Sequence, residues 1–376
     1  MKAALCRCRP TATKTCVRCL AAFPRPLCFG ALSANAPAQP EEYFFCCTWA
    51  FHETTGAALL LFAGQKGVIR ILDANAQALC QVRCRHGARA RSPQSEAAAL
   101  DALTARGAQS LPGHGSAIND LKVHPEHQSL LLSASRDLSI RLWNMHSGVL
   151  IIIFAGEGGH RNEVLTCDWQ RGARCTLASA GMDCVIKVWT ATDADWAAVE
   201  EGLKPWDPAK PLGTFRTRFV QLPEFSTYRV HANYVDCVRF FGPRGALLTK
   251  SVDSHVTLWQ PEEGPYAADG QVRTLATAEL VDADLWFLRF ALCARSRVLA
   301  CGNRCGVVRV WDMHQQQPLM LAQLHARAPA AGKAKAAAPR VNQALPVRQA
   351  MPSADGRIVI ACCEDGTIWR WDRRPA

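Results

Sequence analysis

Three stretches of the chain share one arrangement of apolar positions, apolar-x-x-apolar-x-apolar: Ile118, Leu121 and Val123; Val164, Cys167 and Trp169; Val235, Val238 and Phe240. Alternation along a strand turns such side chains between sheets. Each stretch leads into a Ser/Ala-rich run, a turn Asp, and a third β-rich run that ends on Trp. Trp143, Trp189, Trp259, Trp311 and Trp371 close runs of this kind, and at four of them an Asp stands six residues earlier: Asp137, Asp183, Asp253 and Asp365. Upstream of three runs lies a His: His114 and His160, each preceded by Gly, and His231. A turn Asp accepts hydrogen bonds from backbone amides and from such a His, and so pins a tight turn whose donors would otherwise be orphaned.

Read as a unit, Gly-His, strand, Ser/Ala-rich strand, turn Asp, strand and Trp-Asp or Trp-Asn form the WD40 signature. It predicts four antiparallel strands per blade and an all-β propeller. Gly115–Trp143, Glu163–Trp189 and Asn233–Trp259 are the clearest units. Asp284–Trp311 carries Cys305 where the turn Asp belongs, Val347–Trp371 keeps the Asp, and Tyr43–Leu72 is degenerate. Six blades are thus recognisable. A seventh, the first in sequence, is truncated or degenerate, and nothing in residues 1–40 reads clearly as one. The Trp residues lie 46 to 70 apart, above the usual spacing of about 40–45. Loop insertions at 84–110, 191–210 and 327–346 are expected to absorb the excess, the second as a short helix over Asp193–Glu201. The propeller is placed at 41–374 and a separate basic, Cys-rich segment at 1–40.

Charge alters this picture only at its margins. Of the net charge of +11, all is held by residues 1–40 (six Lys/Arg, no acid), 83–110 (five basic, two acidic) and 313–354 (five basic, no acid). Such segments attract nucleic acid electrostatically, but solvated basic linkers have the same composition, so any nucleic-acid contact is expected to be weak or indirect. No run of 18 apolar residues occurs, which argues against a membrane-spanning helix. Most of the 18 Cys sit singly in apolar runs, as Cys167, Cys237 and Cys301 do, the habit of reduced buried thiols in a reducing compartment. Cys6-x-Cys8 and Cys16-x-x-Cys19 have metal-like spacing but no following His, and the acid-free start also fits an organelle transit peptide or a wrongly assigned first exon. No metal or cofactor is expected. His114 and His160 are matched to turn Asp groups, which leaves no catalytic constellation and no expected enzyme activity.

Longer phrases inside the repeats are more specific. Gly113-His114-Gly115-Ser116-Ala117-Ile118-Asn119, Ser135-Arg136-Asp137, Gly159-His160-Arg161-Asn162-Glu163-Val164-Leu165, His231-Ala232-Asn233-Tyr234-Val235-Asp236-Cys237 and Cys362-Cys363-Glu364-Asp365-Gly366-Thr367-Ile368-Trp369-Arg370-Trp371-Asp372 resemble the EED/extra sex combs/plant FIE family. That resemblance spans about residues 42–374. It implies a seven-bladed, non-catalytic WD40 scaffold of the nuclear Polycomb repressive complex 2. One face of such a subunit holds the SET-domain histone H3 methyltransferase subunit, in company with other Polycomb subunits. The other reads trimethyl-lysine on the histone H3 tail, and so stimulates methylation.

A trimethyl-lysine is a diffuse cation without N–H donors, suited to a cage of aromatic faces. The family's cage residues fall by motif on Phe45, in Glu41-Glu42-Tyr43-Phe44-Phe45-Cys46-Cys47-Thr48-Trp49, and on Trp286 and Phe287, in Asp284-Leu285-Trp286-Phe287-Leu288-Arg289-Phe290. Phe29 is a weaker candidate for a further cage aromatic, and Arg289 and Arg348 are assigned to a peptide-binding rim. Periodicity bears on two of these residues. Aligned on the opening apolar residue of each first strand, Phe45 and Trp286 share one position, held in other repeats by Asn119, Leu165 and Asp236. By itself that position fits either packing between blades or a pocket at one end of them; the resemblance selects the pocket. Two other functions fit a propeller. Trp371-Asp372-Arg373-Arg374 matches the Trp-Asp-x-Arg ending of cullin-type ubiquitin-ligase receptors, and a generic scaffold could lack methyl-lysine reading altogether.

Overall fold

The computed structural model describes residues 3–6, 43–53, 55–73, 78–79, 109–204, 215–242, 245–262, 270–314, 319–326 and 346–373. They form six antiparallel meanders and one helix. The chain divides into two compact units, one containing the first three sheets and the other the last three. Phe29, Cys8, Cys16, Cys19, Arg374 and nearly all of the 84–110 and 327–346 insertions lie outside the described residues.

In the first unit the opening sheet runs Phe44–Phe51, Ala58–Gly64 and Ile69–Asp73. Its fourth position is filled by two short pieces, Ala78–Leu79 and Gln109–Leu111, both paired with Ile69–Asp73. The expected insertion therefore interrupts a strand, and its final residues, 109 and 110, belong to the sheet. The second sheet comprises Ile118–Val123, Leu130–Ser135, Ile140–Asn144 and Leu150–Phe154. The third comprises Val164–Trp169, Thr176–Gly181, Ile186–Thr190 and Phe225–Thr227.

Between the last two strands of the third sheet the chain leaves to cover the second. Thr192 caps helix α1 (Asp193–Leu203): its hydroxyl accepts from the Asp195 amide, whose carboxylate accepts from the Thr192 amide. Two first-turn acids complement the helix dipole. Gly202 lies so close to Ile151 that a Cβ there would stand 2.9 Å from its side chain, and Asn144 Nδ2 donates to the Gly202 carbonyl at 2.9 Å. The chain returns as Arg218–Val220, which adds a parallel fifth strand beside Leu150–Phe154. The described part of the predicted 191–210 insertion is thus a helix packed on the second sheet, and the added strand follows beyond its expected bounds.

In the other unit the fourth sheet is Val235–Phe241, Ala246–Ser251, His255–Pro261 and Val272–Glu279, and the fifth is Ala291–Cys293, Val298–Gly302, Val307–Asp312 and Leu319–His325. The sixth draws three strands from its own repeat, Val347–Pro352, Ile358–Cys363 and Ile368–Asp372. Its fourth is the N-terminal Ala3–Cys6, antiparallel with Ala3 opposite Trp371 and Cys6 opposite Ile368. An edge strand presents a row of polar backbone groups that need partners, and residues from a segment read as separate meet that need here.

Alternation supplies the cores. Leu130 and Leu132 enter the apolar layer shared with the third sheet, whereas Leu131 points to the layer shared with the first. Leu299 and Cys301 likewise face the fourth sheet, and Val298 and Ala300 the sixth. Each fully buried Leu contributes roughly 1.5–3 kcal/mol, so a one-residue slip of register would forfeit two layers at once.

Candidate functional site

Five first strands pair with their neighbours through the same irregularity. The register shifts between Phe44 and Cys46, Ile118 and Asp120, Val164 and Thr166, Val235 and Cys237, and Val347 and Gln349. The extra residues are Phe45, Asn119, Leu165, Asp236 and Arg348. The shared position found by alignment is therefore a β-bulge, a device that re-aims a side chain near the end of a strand. Asn119, Leu165 and Asp236 are buried at it, while Phe45 is half-buried.

The fifth sheet departs from the expected pattern. Its ladder begins at Ala291, so Trp286 and Phe287 precede the strand instead of lying in it. Phe287 has φ +61°, a left-handed conformation that costs a non-glycine residue about 1–2 kcal/mol, and Arg289 bridges in parallel to Gln349 of the sixth sheet. The result is an aromatic corner. The Trp286 and Phe287 rings stand 5.0 Å apart at 84°, and Trp286 is 41% exposed. One wall is a partly exposed indole, the aromatic ring that attracts a cation best.

Charged groups surround this corner. Arg289 is buried and places its guanidinium 4.7 Å from the centre of the Phe287 ring. It is therefore packing against the corner, which differs from the open rim position expected for it. Arg348 is half-buried. Its Nη1 donates to the Trp286 carbonyl at 2.8 Å and its Nη2 pairs with Glu364 at 3.1 Å. Beneath lies a fully buried ion pair, with Lys250 Nζ 3.0 and 2.9 Å from the two Asp236 oxygens. Burial pushes the Asp236 carboxyl up from its usual range, opposed by Lys250, Arg289 and a hydrogen bond from the Phe287 amide. Sequence reasoning used Asp236 only as an alignment marker. The signal available was an acid at the bulge position and a Lys in the facing Ala246–Ser251 strand.

Phe45 is anchored in the other unit by the first-sheet bulge. Beside it Phe44 turns to Phe62, edge-on at 4.9 Å, with Arg70 5.5 Å from the Phe44 ring centre. No group of three or more His, Cys, Asp or Glu suited to a metal occurs among the described residues, and no described helix is long and apolar enough to cross a membrane.

The repeat residues assemble into turn networks. His114 contacts Asp137 at 2.8 Å and Ser133 at 2.6 Å, and Trp143 Nε1 donates to that same Ser133 hydroxyl at 2.8 Å. His160, Asp183, Ser179 and Trp189 repeat this at 2.8, 2.8 and 2.9 Å; His231, Asp253, Thr249 and Trp259 do so at 3.0, 2.9 and 3.0 Å. Burial would raise the three Asp carboxyls, but the His contacts and turn amides outweigh it and hold them below the usual range. Burial lowers His114, which fits a neutral ring between Asp and hydroxyl. The sixth sheet keeps part of the scheme: Asp365 accepts from the Thr367 amide and hydroxyl, and Thr367 accepts from Trp369, while Trp371 is buried in the core. In the fifth, Cys305 contributes its backbone amide to the turn. Buried Asn303 supplies the acceptor instead, to the Cys305 and Val307 amides, and Trp311 is buried. The shared hydroxyl and Asn303 escaped the sequence reading because Ser, Thr and Asn are common and gain meaning only from register.

Four-stranded meanders with His–Asp turns and a Trp at the end of the third strand define a WD40 β-propeller protein. The WD domain, G-beta repeat family matches residues 107–144, 151–190 and 343–372. The chain is 35% identical to Polycomb group protein FIE2 of Zea mays over 92% of its length and 78% of that protein, and 34% identical to Polycomb protein esc of Drosophila virilis over 92% and 72%. It belongs to this FIE/esc family of Polycomb group proteins. Its fold is shared with a chain of Chaetomium thermophilum Polycomb repressive complex 2 (TM-score 0.64, 16% identity, 88% of this chain and 82% of that one). A chain from a ctPRC2 complex with H3K27me3 and H3K27M is similar at TM-score 0.60 and 17% identity, over 88% and 82%.

Proposed function

We propose that this protein is the non-catalytic WD40 subunit of a nuclear Polycomb histone H3 methyltransferase complex, and that it reads trimethyl-lysine on the H3 tail through the aromatic corner of Trp286 and Phe287. The carrying observation is the Trp286–Phe287 corner, with perpendicular rings 5.0 Å apart and the indole 41% exposed, in a chain of the FIE/esc family. The corner presents a partly exposed indole, which suits a methylated ammonium better than one that must keep its N–H bonds solvated.

Titration calorimetry with trimethylated and unmethylated H3 peptides tests this reading. The methylated peptide should bind more tightly by about 1–2 kcal/mol, the cation–π share in a desolvated cage. Trp286→Ala should remove the preference without unfolding the protein, since the side chain lies outside the apolar layers. Equal affinities for wild type would leave only the scaffold. Co-purification of a SET-domain methyltransferase supports the Polycomb assignment, whereas a cullin adaptor in its place would support the ligase-receptor alternative.

A further inference from the structure

The peptide between Trp286 and Phe287 is held at both of its polar atoms by side chains from other sheets. Its carbonyl accepts from Arg348 Nη1 of the sixth sheet at 2.8 Å, and its amide donates to Asp236 of the fourth. Each holder is itself braced: Arg348 by Glu364 at 3.1 Å, Asp236 by Lys250 at 2.9 Å. Both holders occupy the β-bulge of their strands, and the held peptide leads into the left-handed Phe287. A left-handed Phe ahead of the strand is not an arrangement its own sequence favours. With no ladder at this point, outside contacts must maintain it.

We infer that Asp236 and Arg348 are positioning residues that clamp the Trp286–Phe287 peptide and thereby set the angle between the two rings. Arg289, stacked on Phe287 at 4.7 Å, completes the support from the ring side. The functional value of the clamp rests on the trimethyl-lysine reading above, but its existence does not. Holding both rings before ligand arrives leaves less side-chain freedom to lose on binding. Arg348 thus acts through Trp286, in addition to any contact with a peptide.

The test uses the full chain labelled with 5-fluorotryptophan, with the Trp286 fluorine signal assigned by its absence in W286F. Wild type, R348M, R348K and D236N are compared without ligand, then titrated with trimethylated H3 peptide. R348M should shift or broaden the Trp286 signal, leave signals of buried Trp189 and Trp259 in place, and weaken peptide binding about fivefold or more. R348K, which can still donate to the carbonyl, should recover most of both. D236N, which keeps an acceptor for the Phe287 amide but loses the charge that braces it against Lys250, should shift the Trp286 signal less than R348M does; if it fails to fold, R348M and R348K carry the test alone. A wild-type Trp286 signal in ligand-free R348M overturns the clamp, even if affinity falls, because Arg348 would then act only by touching the peptide. Absence of any methyl preference in wild type would sink the reader function alone, since the ligand-free spectra judge the clamp separately.

Discussion

Replacing Ser133 by Ala removes one buried oxygen and almost no volume, yet it should destabilise the protein substantially. Ser133 is fully buried and its Oγ joins Trp143 Nε1, 2.8 Å away, to His114 Nε2, 2.6 Å away. With His114 neutral and Nδ1–H donated to Asp137, the chain has one direction: indole N–H to hydroxyl oxygen, hydroxyl proton to Nε2, Nδ1–H to carboxylate. Ala leaves a buried donor and a buried acceptor without that partner, each costing about 1–3 kcal/mol. Since one buried hydroxyl no longer needs desolvation, a net loss of about 2–4 kcal/mol follows. At about 2–4 °C per kcal/mol for a cooperative unit of about 200 residues, the melting midpoint should fall by about 4–16 °C. Calorimetry and urea titration measure this. W143F and S133A/W143F complete a cycle in which the double variant should cost less than the sum, because the two changes break one shared bond. A midpoint for S133A within a degree of wild type, or strict additivity, would refute the directional chain and mean that water satisfies these groups.

Other outcomes follow from the same geometry. Asp183→Ala should cost roughly 1–3 kcal/mol in urea unfolding, because the Arg161 and Val185 amides lose their acceptor. Gly181→Ala should be destabilising by thermal melting, since a Cβ there would overlap the Glu163 carbonyl oxygen just ahead of the adjacent strand. His124 Nδ1 accepts from the Glu126 and His127 amides at 3.1 Å each, and burial, aided by His127, lowers its pKa to about 4. The unfolded ring takes up its proton first, so its contribution is complete above about pH 6.5 and is lost as pH falls toward 4. His124→Asn, which retains an acceptor, should therefore flatten the decline of the urea midpoint between pH 6.5 and 4.5; parallel curves would contradict the assignment.

What the sequence by itself determined is whatever depends on neighbours along the chain. Period-two apolar runs, the Asp at a fixed distance before Trp, and the His upstream are local requirements of a meander, and His114, His160 and His231 all meet their Asp as read. The helix expected over Asp193–Glu201 is present as Asp193–Leu203. The alignment of Phe45 with Asn119, Leu165 and Asp236 also survived, although only pairing between strands revealed it as a bulge. Tertiary structure decided the rest, because the partners are distant in sequence and chemically ordinary. Ala3–Cys6 has no repeat motif and gains its place only from the open edge at Ile368–Asp372. Asn303 replaces the absent turn Asp of the fifth sheet because it lies where the turn amides converge. Arg289, assigned to the rim, is buried against the Phe287 ring and bridges in parallel to Gln349. A buried Asp236–Lys250 pair sets no local pattern, since two charges leave water together only when two strands bring them within hydrogen-bonding distance.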